Sequence, residues 1–276
     1  MEAGLRERYV FKGVLVTTTG LHVGGGRDLN YTDSPVIKTM SGEPFIPGSS
    51  IKGAFRSTVE RIAVTLGLRS CQIWGELDNQ CPTANERTAT IYREKQKNQA
   101  PEKELADFLQ QHLCDTCKLF GSPFSRSKIL FEDAPMLNPE LGEVEVRDGV
   151  GIDRDSGRAA TNIKFDYEVV PSLSRFDFRA TLENPTSKDL FLVAVGLREM
   201  VSGYMRLGGL SSRGLGGISL QLESVKAVDF TKADELIAYL RTGKMRELDP
   251  ESFLSQQISF LDMLTSGQQE VAREHV

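Results

Sequence analysis

Four cysteines, a loop aspartate and a scatter of cations are the residues in this chain whose types and spacing could do chemistry. Cys71 and Cys81 precede Cys114-Asp115-Thr116-Cys117, and the sequence has no other cysteine. A C-x-x-C pair lets two thiolates grip one tetrahedral ion, and a second pair on the same segment closes the site. Four protein ligands leave no position for a reacting water, so the expectation is structural Zn²⁺ held by Cys71, Cys81, Cys114 and Cys117. The gap between the first two is wider than the usual knuckle, and His112 is a substitute ligand. The plainer alternative is four unrelated small core residues.

The second chemical cluster lies in GLHVGGGRDLNYTDSPVIKTMSGEPFIPGSSIKGAFR, residues 20–56. Gly24, Gly25 and Gly26, with Arg27 beside them, form a glycine-rich loop whose amides are open to a close-approaching backbone. Ser49 or Ser50 is placed to cap a helix beginning near Ile51. Lys52 and Arg56 follow at i, i+4, so both cations share one face of that helix. Open amides, a helix N-terminus and two cations suit a phosphate backbone. Two carboxylates, Asp28 and Asp33, sit beside this track. Asp33, fixed in an extended turn by Ser34-Pro35, can bind a divalent cation or orient a 2′-hydroxyl. It can equally be an aspartate that satisfies its own turn. His22 could serve metal-free RNA cleavage or be a buried structural residue. A second glycine run, LGGLSSRGLGG at 207–217, would bring main-chain amides to the other side of the same track, with Arg206 and Arg213 as phosphate contacts. No GxGxxG or GxxxxGK[ST] frame is present, which argues against a nucleotide cofactor.

Several elements must position these groups. β-branched and aromatic content marks a strand over 8–18, and Val36–Lys38 reads as a short one. The helix over 50–67 aligns Ile51, Phe55, Val59, Ile62 and Leu66 on one stripe. Residues 70–121 form a polar insertion with a helix near 101–113. A short strand at 128–132 precedes a long arm, 142–175, with Arg154 and Arg158 at its tip. Alternation over 176–182 gives a half-buried strand, followed by a helix over 188–206 and a strand over 218–228. Two strand–helix–strand units with insertions fit a ferredoxin-like α+β sheet. The tail carries two helix-like segments, 231–241 and 250–265.

A chain of 276 residues is long enough to bury a core. No apolar run reaches the length of a membrane span, and MEAGLRERYVF lacks a signal-peptide core, so a cytoplasmic protein with reduced or metal-bound cysteines is expected. The net charge of −5 argues against a simple basic nucleic-acid binder, but it is unevenly spread. Residues 229–276 hold nine acids against five bases, leaving the body nearly neutral, and residues 48–69 hold four bases against Glu60 alone. A local basic track survives an acidic average.

Together GLHVGGG, TDSPVIK, PFIPGSSIKGAFR, CKLFGS, GVGIDRDSGRA and GGLSSRGLGG resemble the RAMP superfamily of CRISPR-associated proteins, in particular the backbone subunits of type III effector complexes. The cysteine-bearing segment ending in CxxCxLFG is similar to that of zinc-containing members. The resemblance implies an RRM-like palm from residues 1–69 and 122–228, with a thumb β-hairpin at about 147–175. It leaves a zinc-binding insertion at 70–121 and an acidic helical extension at 229–276. It also implies head-to-tail stacking with copies or paralogues along a guide RNA, and cleavage of complementary target RNA by Asp33 with Mg²⁺ or another divalent ion. Lys52 and Arg56 would hold guide phosphates, and Ser211, Ser212 and Arg213 would line the same track beside His22 and Gly24–Gly26. Two alternatives stay open: a non-cleaving scaffold subunit, and a stand-alone guide-processing endoribonuclease using His22.

Overall fold

Alternation along Arg175–Glu183 turns Phe176, Phe178, Ala180 and Leu182 to one side, where all four are buried, while Arg175 and Arg179 face outward. The period of two makes this a strand with one core face. The computed structural model describes residues 4–25, 32–71, 80–141 and 144–261. In order they form β1 (Glu7–Thr17), β2 (Phe45–Ile46), α1 (Gly48–Thr65), α2 (Glu86–Lys97), α3 (Glu102–His112), α4 (Asp115–Phe120), β3 (Ile129–Phe131) and β4 (Ala134–Pro135). There follow β5 (Glu145–Ile152), β6 (Ala159–Val169), β7 (Arg175–Glu183), α5 (Ser187–Val201), β8 (Ile218–Asp229), α6 (Ala233–Thr242), β9 (Arg246–Leu248) and α7 (Pro250–Ile258).

The central sheet is antiparallel in the order β3-β7-β1-β8-β9. Placing β1 between β7 and β8 is the interleaving that two combined strand–helix–strand units produce, so the expected ferredoxin-like α+β arrangement is present. The predicted stripe of α1 meets the core through Ile51, Phe55 and Val59, all fully buried, with Ile62 and Leu66 packed at its edge. α5 lies alongside. At Gly196 a Cβ would sit 2.2 Å from the Phe55 ring, so only glycine admits the aromatic there. β5 and β6 pair as a separate two-stranded arm.

Several boundaries differ from the sequence reading. α1 starts at Gly48 with Pro47 as its cap residue and no side-chain cap, so Ser49 and Ser50 lie inside its first turn rather than capping it. Gly48 is tightly placed: a Cβ would lie 2.4 Å from the Phe131 carbonyl oxygen. α5 stops at Val201, because Gly203 takes a positive φ of 76° just beyond it, and Arg206 therefore lies in the following loop. α2 is a helix the sequence reading did not find. Its polar sequence buries only Thr88, Ala89 and Tyr92, and it is set by Asn85, whose side chain accepts the Thr88 N–H. Val36 and Lys38 make isolated bridges instead of a strand. The tail is knitted into the sheet: β9 pairs with β8, and Phe253 of α7 packs its ring against Tyr9 and Phe11 at 5.9 and 5.6 Å. The end of the expected 250–265 helix falls outside the described residues.

Candidate nucleic-acid interface

The four cysteines converge. Their sulfurs all lie within 4.8 Å of one another and all four residues are buried, with Cys71 Sγ 3.5 Å from Cys117 Sγ. Tetrahedral zinc–thiolate geometry needs sulfur–sulfur separations of about 3.8 Å, as follows from a Zn–S bond near 2.3 Å. The donor set therefore fits such an ion. The turn that joins Cys114 to Cys117 is a helix start: Cys114 caps α4, its sulfur accepting the Cys117 N–H at 3.4 Å. Around the sulfurs, the Thr116 hydroxyl lies 3.4 Å from Cys114 and the Thr83 hydroxyl 3.4 Å from Cys117. Hydrogen bonding, first from Cys117, pulls Cys114 down to about 6, while hydrogen bonding with Cys114 pushes Cys71 and Cys117 up and Cys81 down. A divalent ion bound here would displace the thiol protons. His112 is not part of the cluster: its Nδ1 donates to the Phe108 carbonyl at 2.8 Å and its ring stacks on Phe108.

The loop carrying Asp33 is held from three sides. Gly25 N–H donates to the Pro35 carbonyl and Ile37 N–H to the Val23 carbonyl, both at 2.9 Å, which folds residues 20–25 back on 35–37. At Gly25 a Cβ would press to 2.9 Å on the Ile37 main chain, the reason glycine stands there. The second glycine run packs against the residues that lead into the first. Gly209 N–H reaches the His22 carbonyl and Gly216 N–H the Gly20 carbonyl, each at 2.8 Å. Gly208, at φ 77°, would place a Cβ 2.2 Å from the His22 carbonyl oxygen. On the third side stands β6. Val170 and Leu21 exchange both main-chain hydrogen bonds at 2.8 Å, and Glu168 N–H donates to the Ser34 carbonyl at 3.0 Å.

His22 sits at the junction and is buried. A carbonyl can only accept, so Nδ1 carries the proton given to the Glu168 carbonyl at 2.7 Å, and Nε2 accepts from Ser34 Oγ at 3.2 Å. Both ring nitrogens thus have partners within the protein. Asp33 is exposed, one residue from this contact. Its Oδ2 accepts the Asp166 N–H at 3.1 Å, while Asp166 Oδ1 accepts the Asp33 N–H at 2.7 Å. Glu168 completes the clamp: its carboxylate accepts the Val36 N–H at 2.9 Å and pairs with Lys38 Nζ at 3.0 Å.

The cations divide. Lys52 is half-buried and, among the described residues, no carboxylate pairs with it; burial and then the neighbouring Arg56 charge push its ammonium below the usual value. Such a site gains from an incoming anion. Arg56 is different from what the sequence suggested. Its Nε pairs with Glu60 at 2.7 Å, Nη1 donates to the Gly121 carbonyl at 3.1 Å, and Nη2 points at Cys117 Sγ at 3.4 Å. The guanidinium is spent on tying α1 to the cysteine cluster, so it is not a free cation beside Lys52. At the N-terminus of α1, the Gly48 N–H is already taken by Asp133 Oδ1 at 2.7 Å, which narrows the anion site read from the sequence. Arg206, Ser211, Ser212 and Arg213 are exposed, with no ion pair to either arginine among the described residues. Arg154 and Arg158 sit exposed at the tip between β5 and β6, whose Val146, Val150 and Ile152 are exposed apolar residues. Ser49 is exposed and Gly24 is bridged to Val36; Gly26, Arg27 and Asp28 lie outside the described residues.

A family model described as the RAMP superfamily matches residues 14–219. The chain belongs to that superfamily. Among curated relatives, a "CRISPR system Cms endoribonuclease Csm3" of Methanocaldococcus jannaschii is 25% identical over 233 residues, covering 79% of this chain and 80% of that protein. The protein of the same name from Streptococcus thermophilus is 26% identical over 234 residues, 76% of this chain and 86% of its own. That of Methanothermobacter thermautotrophicus is 39% identical over 59 residues, 20% of this chain and 24% of its own. The matched span contains the end of β1, all of β3 and β7, the hairpin, the cysteine segment and both glycine runs of this RAMP chain.

Asp133, Asp166 and Glu168 were not singled out in the sequence. Asp166 and Glu168 stand two apart on β6 and so share a face, the one local signal they carry. Their partners lie more than 130 positions away, so no spacing rule pairs them.

Proposed function

We propose that the chain is a guide-RNA-binding backbone subunit of a type III CRISPR effector complex that cleaves complementary target RNA through Asp33. The observation that carries this reading is an exposed carboxylate, oriented by a main-chain amide at the base of an arginine-tipped hairpin, beside the segment 20–25 on which the second glycine run is hydrogen-bonded. Both Csm3 relatives matched along most of their length are named endoribonucleases. No helix among the described residues is long and apolar enough to cross a membrane.

In this reading the guide backbone follows the glycine turns, with Lys52, Arg206 and Arg213 supplying phosphate contacts and Ser211 and Ser212 hydrogen bonds. The hairpin crosses the guide–target duplex. Arg154 and Arg158 meet phosphates at its tip, and Val146, Val150 and Ile152 offer an apolar edge to an unstacked base. Splaying one nucleotide lets its 2′-hydroxyl align with the next phosphate. Asp33 then orients the attacking hydroxyl. A divalent ion, with Mg²⁺ the expected one, would supply charge neutralisation at the phosphate. Zn²⁺ on the four cysteines is structural, and neighbouring copies or paralogues stack head to tail along the guide. His22 is buried and partnered within the protein, so stand-alone metal-free processing is the less favoured reading.

The test is target-RNA cleavage by the guide-loaded complex in Mg²⁺, comparing wild type with Asp33→Ala. Cleavage should vanish in the variant while short guide RNA still co-purifies. Equal cleavage by both removes the catalytic assignment and leaves a scaffold subunit.

A further inference from the structure

The carboxylate assigned to cleavage is on a loop, and a loop carboxylate needs something to aim it. The bonds between Asp33 and Asp166 are reciprocal: each main-chain N–H is given to the other's carboxylate, at 2.7 and 3.1 Å. Two acids held side by side repel when both are ionised, and an amide donated to each offsets that cost. The consequence for Asp33 is geometric. Its Oδ2 is anchored on β6, which restricts rotation of the side chain and leaves Oδ1 as the oxygen turned to other use. β6 is itself registered on this loop by the Ser34–Tyr167 bridge and the Glu168 clamp on Val36 and Lys38. The hairpin strand thus reaches the acid through Asp166 and not through its tip.

We propose that Asp166 is the positioning residue for Asp33, acting by accepting the Asp33 N–H and presenting its own amide to Oδ2. The proposal rests on the reading of Asp33 as the cleaving acid. It makes the required property of the Asp166 side chain an acceptor oxygen and not a negative charge. An aspartate two residues before Glu168 on the same strand face then links seating of the hairpin to the aim of the acid.

The experiment measures single-turnover target cleavage and target affinity for the guide-loaded complex carrying Asp33→Ala, Asp166→Ala or Asp166→Asn. Asp166→Ala should cut about 100-fold more slowly at unchanged target affinity, the scale of loss that misplacing a reacting group produces. Asp166→Asn keeps an oxygen that accepts the Asp33 N–H and should recover to within about tenfold of wild type. Wild-type cleavage by Asp166→Ala overturns the proposal, and so does a loss confined to target binding. Asp166→Asn as slow as Asp166→Ala also overturns it, because the charge itself would then be required. Continued cleavage by Asp33→Ala overturns instead the underlying assignment of Asp33.

Discussion

The cysteine insertion and the Asp33 loop are both polar segments with little apolar material of their own, yet they are held by opposite means. The insertion has a separate small core in which the four cysteines and Leu113 are the buried members, with Leu109 against them. Its order is concentrated at one point where an ion fits. Among its described residues the Asp33 loop has no such point. It is fixed by main-chain and carboxylate hydrogen bonds distributed over the second glycine run and β6. One chelatable centre should fail all at once, whereas a distributed network should fail by degrees. Arg56 ties the insertion to the palm, because it bonds both the α1 carboxylate Glu60 and the Cys117 sulfur.

The sharpest way to break this contrast is to remove the ion or a ligand. Purified protein should contain about one zinc per chain, as four ligands imply. Chelation or Cys114→Ser should expose the segment between Cys71 and Cys117 to protease while the sheet keeps its strand signal in circular dichroism. Binding free energies at such sites reach about 10–16 kcal/mol in small zinc domains, so this is the largest effect expected. Zinc-free protein with the same protease pattern would dissolve the distinction.

Arg56→Met tests the bridge. It leaves Glu60, whose side chain is only 10% exposed, without its partner, and removing one member of such a pair costs about 3 kcal/mol. Denaturant midpoints should fall accordingly, together with faster loss of zinc. A variant as stable as wild type would show that the insertion and α1 are independent. Gly208→Ala probes the distributed side. A positive φ of 77° and a Cβ at 2.2 Å from the His22 carbonyl oxygen should cost about 1–3 kcal/mol, read as a lower melting temperature with the zinc still bound. The smallest effect belongs to Lys52→Ala. Its stability should change by less than about 0.5 kcal/mol, while the dependence of RNA affinity on salt should flatten by about one counterion. An unchanged slope would place the RNA away from α1.

Much of the palm could be read from the chain because its signals are local. The alternation of Arg175–Glu183 and the Ile51–Phe55–Val59 stripe each fix an element within a few residues. The tail was harder. α7 buries Phe253 and Leu254 in the core with Ile258 at its edge, and β9 is three residues long, so little local signal announces that one packs on the sheet and the other extends it. The candidate site split in the same way. Cys114-x-x-Cys117 and the glycine runs declare themselves by spacing, whereas the occupants of Arg56, His22 and the α1 N-terminus come from distant segments.

By itself, then, the sequence determined which residues alternate, which face of α1 is apolar, where backbone must pass without a side chain, and which sulfurs are available. Those properties depend on steric and hydrophobic periodicity within one element. Only the tertiary structure decided that Arg56 is consumed as a tie, that Asp133 takes the Gly48 amide, and that Asp166 and Glu168 face the Asp33 loop. A hydrogen bond is specified by the position of two groups in space, and for these pairs that position is set by the register of β6 on the loop and the packing of α1 against α4 and its flanking residues.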